Sequence, residues 1–163
     1  MDYQALLRLR RAALVLVVGA VAAIAGALYF EFVLGYVPCK LCLTERLPYY
    51  AAIPLGFLGL FAPERLTRLL LGLAAAGLLY GAGLSVYHAG AEWAFWPGPT
   101  GCGGSGSGAA PASIGEFRNA LETTRVADCS TAAWRFLGIS LAGWNAAFAA
   151  LLASIVGTAA LRR

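Results

Sequence analysis

AALVLVVGAVAAIAGALYF, Ala12 to Phe30, is the stretch that decides the fold. It contains no charged residue, and it has the length of about 20 residues that a helix needs to cross a bilayer. Working outward, Leu69–Tyr87 and Ser140–Leu161 are two further charge-free runs of similar length. A fourth run, Leu47–Phe61, is shorter and carries Pro48 and Pro54. Pro48 is tolerated in a first helical turn, whereas Pro54 predicts a kink. A helix starting near Thr44 would place Glu45 and Arg46 at its mouth, at headgroup depth, with Cys42 just ahead of it. The expected architecture is an all-α membrane protein: one integral membrane domain over 1–163, a four-transmembrane-helix bundle. Its spans are expected at about 12–30, 44–61, 69–87 and 140–161, with two connecting loops at about 31–43 and 88–139 on the same side. Composition agrees. The chain is 60% hydrophobic and 12% charged, against about 25% charge in soluble domains.

The net charge of +4 does not mark a nucleic-acid binder. The basic residues form neither a face nor a run, and no aromatic readout motif accompanies them. They flank the apolar stretches instead. Arg8, Arg10, Arg11, Arg65, Arg68, Arg162 and Arg163 lie on the side of the termini. Lys40 and Arg46 lie in or beside the first opposite loop, and Arg118, Arg125 and Arg135 in the long second loop, which counts little towards orientation. The positive-inside rule therefore places both termini in the cytoplasm and all four cysteines outside. Arg8, Arg10 and Arg11 before an apolar run that ends in Ala25-Gly26-Ala27 also fit a cleavable signal peptide. The run continues through Leu28, Tyr29 and Phe30, longer than a typical signal core, and the spanning reading is preferred.

Small residues are placed for helix packing in lipid. Gly77 with Gly81 is a GxxxG pair, and Ala22 with Gly26 a small-xxx-small pair. Asn145, polar within the last span, reads as an interhelical hydrogen bond in preference to a ligand contact. In the second loop, Trp93–Pro99 is aromatic and proline-rich, as suits an interface. Cys102 and a flexible run, Gly103–Gly108, follow. Ser113-Ile114-Gly115-Glu116 is a capping box. It predicts a short amphipathic helix with Ile114, Phe117 and Leu121 on one face, lying on the membrane surface or packed on protein, with Cys129 just beyond it.

The four cysteines carry the chemistry. Cys39-Lys40-Leu41-Cys42 is a CxxC motif, and Cys102 and Cys129 form a second, distant pair. An even count on the translocated side points to disulfides. Structural staples explain Cys102–Cys129 better than the CxxC, whose loop is too short to stabilise much by closure. A resident zinc ion is not expected, because the second pair lacks knuckle spacing and a glycine run separates its members. Haem is expected still less: Leu43 follows the CxxC, so there is no CxxCH attachment motif, and the single histidine, His88, rules out intrachain bis-His ligation. Redox chemistry has positive support. A CxxC beside a helix N-terminus has its thiolate favoured by the dipole and by nearby cations. Arg46, one turn on, is expected to put positive charge near Cys42. The alternative for Arg46 is interfacial snorkelling, and Glu45 reads as solvated.

Three segments resemble a known family. PCKLCLTER, Pro38–Arg46, follows P-C-x-x-C-x-x-x-R. YHAGAEWAFWPGPTGC, Tyr87–Cys102, has a glutamate–aromatic–proline–cysteine order. DCSTAAWRFLGISLAGWN, Asp128–Asn145, follows D-C-x-x-x-x-W-x-x-[FL]-G. Together they resemble the DsbB family, bacterial inner-membrane quinone reductases that reoxidise the periplasmic disulfide donor DsbA. The Gly/Ser-rich stretch after Cys102 departs from the pattern and leaves the choice of partner open. The resemblance implies two periplasmic loops and four catalytic cysteines, Cys39, Cys42, Cys102 and Cys129. A DsbA-like thiolate would attack Cys102, and Cys129 would pass oxidation onward through Cys39. Cys42 would be the thiolate facing a membrane quinone, ubiquinone or menaquinone, with Arg46 and His88 close to its head group. Two other readings stand beside it. A vitamin K epoxide reductase-like enzyme shares the bundle and the chemistry, but there the loop pair precedes the CxxC. A non-catalytic assembly factor with structural disulfides is the other.

Overall fold

A computed structural model describes residues 3–99, 113–114 and 129–162. Four long helices dominate these residues. Helix α1 spans Tyr3–Leu28 and runs on through a π-helical turn, Tyr29–Val33. Helix α2 spans Lys40–Phe61, α3 spans Glu64–Glu92 and α4 spans Leu141–Leu161. Three segments are long and apolar enough to cross a membrane: Tyr3–Val33, Glu64–Glu92 and Leu141–Leu161. In such surroundings only internally hydrogen-bonded helices leave no backbone group unpaired. Helix α2 is less apolar, with Lys40, Glu45 and Arg46 in its first turns and both prolines inside it. It begins at Lys40, earlier than the expected Thr44, because the Cys39 sulfur caps it.

Helix α3 packs against α2 and α4, and α1 packs against the same two. The core between them is built largely from alanine. Ala13, Ala20, Ala52 and Ala149 are buried, and Leu9, Leu16, Leu71, Leu78 and Val156 fill the remaining space. The larger side chains Val18, Phe57, Leu73, Leu79 and Leu151 are exposed on the outer faces. Lipid supplies no hydrophobic drive between helices, so close contact of small residues holds them together. At Gly56 a Cβ would stand 2.8 Å from Val17 Cγ2, and at Gly81 3.0 Å from Pro48 Cγ. Gly81 thus makes the close approach expected of it, to α2. Its partner Gly77 and the Gly26 of the second small-residue pair have nothing within 4 Å of a built Cβ. Those two positions do not mark helix crossings.

Each end of the molecule is tied by side chains to backbone. At the end carrying the termini, the buried Thr67 hydroxyl lies within hydrogen-bond distance of the carbonyls of Gly59, Ala62 and Pro63 and closes the α2–α3 turn. Arg68 pairs with Glu64 at 3.1 Å and donates to Ala160 O at 3.1 Å and to Arg162 O, joining the start of α3 to the end of α4. At the opposite end a two-stranded antiparallel ribbon, β1 (Arg135–Phe136) and β2 (Ile139–Ser140), leads into α4. Leu137 and Gly138 both have positive φ, 52° and 80°, as a two-residue hairpin turn with the right twist requires. Ser140 caps α4, its hydroxyl accepting from Gly143 N–H at 3.2 Å. Arg135 donates to Glu92 O at 3.0 Å and anchors the ribbon to the end of α3. Ser113 and Ile114 are described, but the rest of the predicted loop helix and the glycine run lie outside the described residues.

Candidate active site

The site begins with the cap of α2. Cys39 has extended backbone, φ −75° and ψ 169°, and its sulfur accepts from Cys42 N–H at 3.2 Å. A sulfur stands where a serine or aspartate oxygen usually caps a helix. The first helical turn then brings Cys42 Sγ to 2.8 Å from Cys39 Sγ, with both thiols free. Cys39 is buried and Cys42 half-buried. Cys42 therefore lies inside the first turn, where the sequence reading had it ahead of the helix.

Helix α3 supplies His88 and Glu92 from its last turns. His88 is 2% exposed. Its Nε2 lies 3.6 Å from Cys39 Sγ, and its Nδ1 lies 2.7 Å from Glu45 Oε1. Glu45 is 5% exposed and not solvated as expected. Its environment explains how α2 tolerates a buried carboxylate: Oε2 accepts from Asn145 Nδ2 at 3.0 Å. Asn145 also donates to Ser85 Oγ at 2.8 Å and accepts from the Tyr49 hydroxyl at 2.7 Å. It forms the interhelical hydrogen bonds predicted for it, linking α4 to α2 and α3. Glu92 Oε1 lies 3.8 Å from His88 Nε2, and Glu92 Oε2 is buried with no hydrogen-bond partner among the described residues.

Electrostatics single out Cys39. The Cys42 thiol, the His88 ring and the Cys42 backbone N–H converge on its sulfur. The hydrogen bond from Cys42 is the largest influence; burial opposes it, and His88 adds to it, so the Cys39 thiol is lowered to about 4. Lowered values of this kind belong to reactive cysteines at helix N-termini beside cations. Arg46 does not supply the cation. Its Nη1 pairs with Glu31 Oε2 at 2.5 Å, the glutamate coming from the π-helical turn after α1.

Cys42, Arg46 and His88 line one cavity of about 590 Å3 between α1, α2, the end of α3 and α4. Its walls are mostly apolar, with Ala22, Ala23, Ile24, Phe30, Leu141 and Phe148 around the polar end at Cys39, Cys42, Glu45 and Glu92. The volume and the ratio of apolar wall to convergent polar groups match small-molecule sites. The structure thus brings five of the sequence-predicted site residues together: Cys39, Cys42, Arg46, His88 and Cys129. Cys129 is fully buried and disulfide-bonded, and it packs against Cys39 with Leu41 and Cys42 at the edge of the contact. Cys102 lies outside the described residues. Glu31, Glu45 and Glu92 were missed as site residues. Glu45 and Arg46 shared a reading as interfacial charges, and nothing in local sequence separates a buried glutamate from a solvated one.

The arrangement is a free dithiol, a neighbouring disulfide and an apolar cavity at one end of a helical membrane protein. The sequence profile of the family described as disulfide bond formation protein DsbB matches residues 9–159. The chain is 30% identical over 131 residues to disulfide bond formation protein B of Pasteurella multocida, covering 72% of this chain and 66% of that one. It is 33% identical over 129 residues to disulfide bond formation protein B of Aeromonas salmonicida, covering 78% and 74%. The match to disulfide bond formation protein B 2 of Pseudomonas aeruginosa is 35% identical over 72 residues, covering 44% of this chain and only 41% of that protein. The chain thus spans from 41% to 66% of the length of the first relatives it matches. No solved structure matches it. On the extent of the profile match and the order of its cysteines, the chain belongs to the disulfide bond formation protein DsbB family.

Proposed function

We propose that this protein is a membrane thiol oxidase that reoxidises a periplasmic DsbA-like dithiol and passes the electrons to a membrane quinone. The observation that carries this reading is the contact between the free Cys39–Cys42 pair and disulfide-bonded Cys129 at the head of the cavity. On this reading α2 crosses the bilayer with the other three helices, both termini are cytoplasmic, and all four cysteines face the periplasm of a bacterial inner membrane. The whole chain acts as one integral domain.

The residues then have the following roles. The partner's dithiol reduces a Cys102–Cys129 disulfide, its thiolate attacking Cys102. The freed Cys129 thiolate attacks the Cys39 sulfur of a Cys39–Cys42 disulfide, with Cys42 as the leaving thiolate. Resolution by Cys102 restores the loop disulfide and leaves Cys39 and Cys42 reduced. A bound quinone supplies the acceptor for two electrons and two protons as Cys39 and Cys42 return to the disulfide. Cys42, half-buried on the cavity wall, faces that acceptor. Arg46, oriented by Glu31, places a guanidinium at the same wall, where it favours negative charge in a low-dielectric setting. His88, held by Glu45, hydrogen-bonds the Cys39 sulfur and stabilises it as thiolate.

Anaerobic mixing of the purified protein with ubiquinone or menaquinone and a reduced thioredoxin-fold dithiol tests the proposal. Quinol should appear in step with oxidised dithiol, one for one. Dithiol oxidation without quinol, or neither, refutes it. Mild reduction followed by alkylation separates it from a structural role: catalytic pairs open readily, and staples resist.

A further inference from the structure

We infer that the reduced site is also a binding site for one borderline or soft divalent cation of the zinc and cadmium class, held by Cys39, Cys42, His88 and Glu92. The sequence offers only four cysteines of unsuitable spacing for zinc, but the fold assembles a different donor set. The Cys39, Cys42 and His88 ligand atoms lie within 4.8 Å of one another. In a tetrahedral site with metal–sulfur bonds of about 2.3 Å and metal–nitrogen bonds of about 2.0 Å, sulfur and nitrogen stand about 3.5 Å apart. Cys39 Sγ and His88 Nε2 are 3.6 Å apart. The two sulfurs, at 2.8 Å, must open to about 3.8 Å, which requires the half-buried Cys42 side chain to move.

Two further observations point to a metal. Histidine ligands characteristically donate their second ring N–H to a carboxylate, which fixes the tautomer and raises basicity. His88 Nδ1 lies 2.7 Å from Glu45 Oε1, and Glu45 is itself fixed by Asn145. That contact leaves Nε2 facing the thiols. The fourth donor is Glu92. Its side chain is 7% exposed, its Oε1 lies 3.8 Å from the same Nε2, and its Oε2 has no hydrogen-bond partner among the described residues. A buried carboxylate oxygen without a partner is costly, and a cation beside it removes that cost.

Binding is a displacement of protons. One divalent cation replaces two protons held among Cys39, Cys42 and His88, and no electron moves. The sulfurs then carry the metal in place of each other, so the dithiol cannot close and its electrons stay on the protein. The inference rests on the proposed cycle only in that it requires the pair to become reduced in turnover. Its consequence is reversible arrest in the reduced state, relieved by a chelator.

Cobalt(II) is the probe. The full-length Cys102→Ser/Cys129→Ser protein, reduced and freed of reductant, should take up one equivalent anaerobically. The visible band of four-coordinate cobalt should appear with thiolate charge transfer, and oxidation of the Cys39–Cys42 pair should abolish both. Glu45→Gln should weaken binding by about 10- to 100-fold. Glu92→Gln, which keeps the side-chain volume and removes the carboxylate charge, should diminish the four-coordinate band while the protein stays folded. No band at one equivalent overturns the inference. So does a band and affinity unchanged in both His88→Ala and Glu92→Gln, which would mean chelation by the two thiols alone. A protein that reduces quinone but takes no cobalt loses only this inference. One that takes cobalt and reduces no quinone loses only the proposed function.

Discussion

Glu45 serves two partners at once, the His88 ring through Oε1 and the Asn145 amide through Oε2. Glu45→Ala leaves both without their acceptor in a buried place, at a cost of about 1–3 kcal/mol for each orphan. Thermal unfolding in detergent should show the loss, and an unchanged midpoint would mean that water replaces the carboxylate. Arg46 gives a second test. A charged hydrogen bond is worth about 1.5–3 kcal/mol, so Arg46→Met should lower quinone-dependent turnover by about 10- to 150-fold. Single-turnover exchange between the loop disulfide and the partner dithiol should survive. Lysine should rescue only in part, since it keeps the charge and loses the planar fork that meets Glu31. If the quinone KM and kcat of Arg46→Met match those of the parent, Arg46 is only an interfacial charge. The cysteines and Arg46 were legible because their chemistry is written in short spacings. The partners of His88 were not. Glu45 lies 43 positions away and Asn145 lies 100 positions from Glu45, and no local pattern records such pairings.

Helix α2 is the element whose placement matters most, since its first turn carries Cys42, Glu45 and Arg46. Its start was misread because cysteine is not a customary cap, yet the Cys39 sulfur performs that task. Its body is fixed by close approach to α1 at Gly56, and Gly81 of α3 fits against its Pro48. Gly56→Ala forces a methyl into 2.8 Å contact with Val17 and should destabilise by about 1–3 kcal/mol, as overpacking does. Gly26→Ala, with nothing within 4 Å, should stay within about 0.5 kcal/mol. The two unfolding midpoints in detergent check the pair of expectations, and equal shifts would contradict the packing described. The long apolar runs were legible because lipid demands them over their whole length. Which small residue meets a neighbour was not, because Gly77 and Gly81 look alike in sequence and only one touches α2. The ribbon before α4 was missed for a related reason: Arg135–Phe136 and Ile139–Ser140 are too short to carry an alternating pattern.

For the molecule as a whole, orientation follows from charge. Reporter fusions at either terminus should be active only where a cytoplasmic partner is required, and activity confined to the periplasm would reverse the proposed topology. The partner-facing sulfur follows from the order of exchange. In a Cys129→Ser protein, a trapped complex with the dithiol partner should be linked through Cys102, and peptide mapping to Cys39 or Cys42 would displace that assignment. The cavity adds a consequence of a different kind. Ala22, which lines it, is exposed and lies within the apolar span of α1, so on the proposed topology the chamber borders the hydrocarbon and not only the water. An acceptor arriving there travels in two dimensions. The concentration that sets its rate of arrival is its mole fraction among lipids, not its amount per litre. Diluting proteoliposomes with buffer that holds the dithiol concentration constant should leave turnover per protein unchanged, while fusing them with acceptor-free lipid should slow it. The enzyme would then report on the crowding of its membrane, responding to lipid synthesis as directly as to the redox state of the pool.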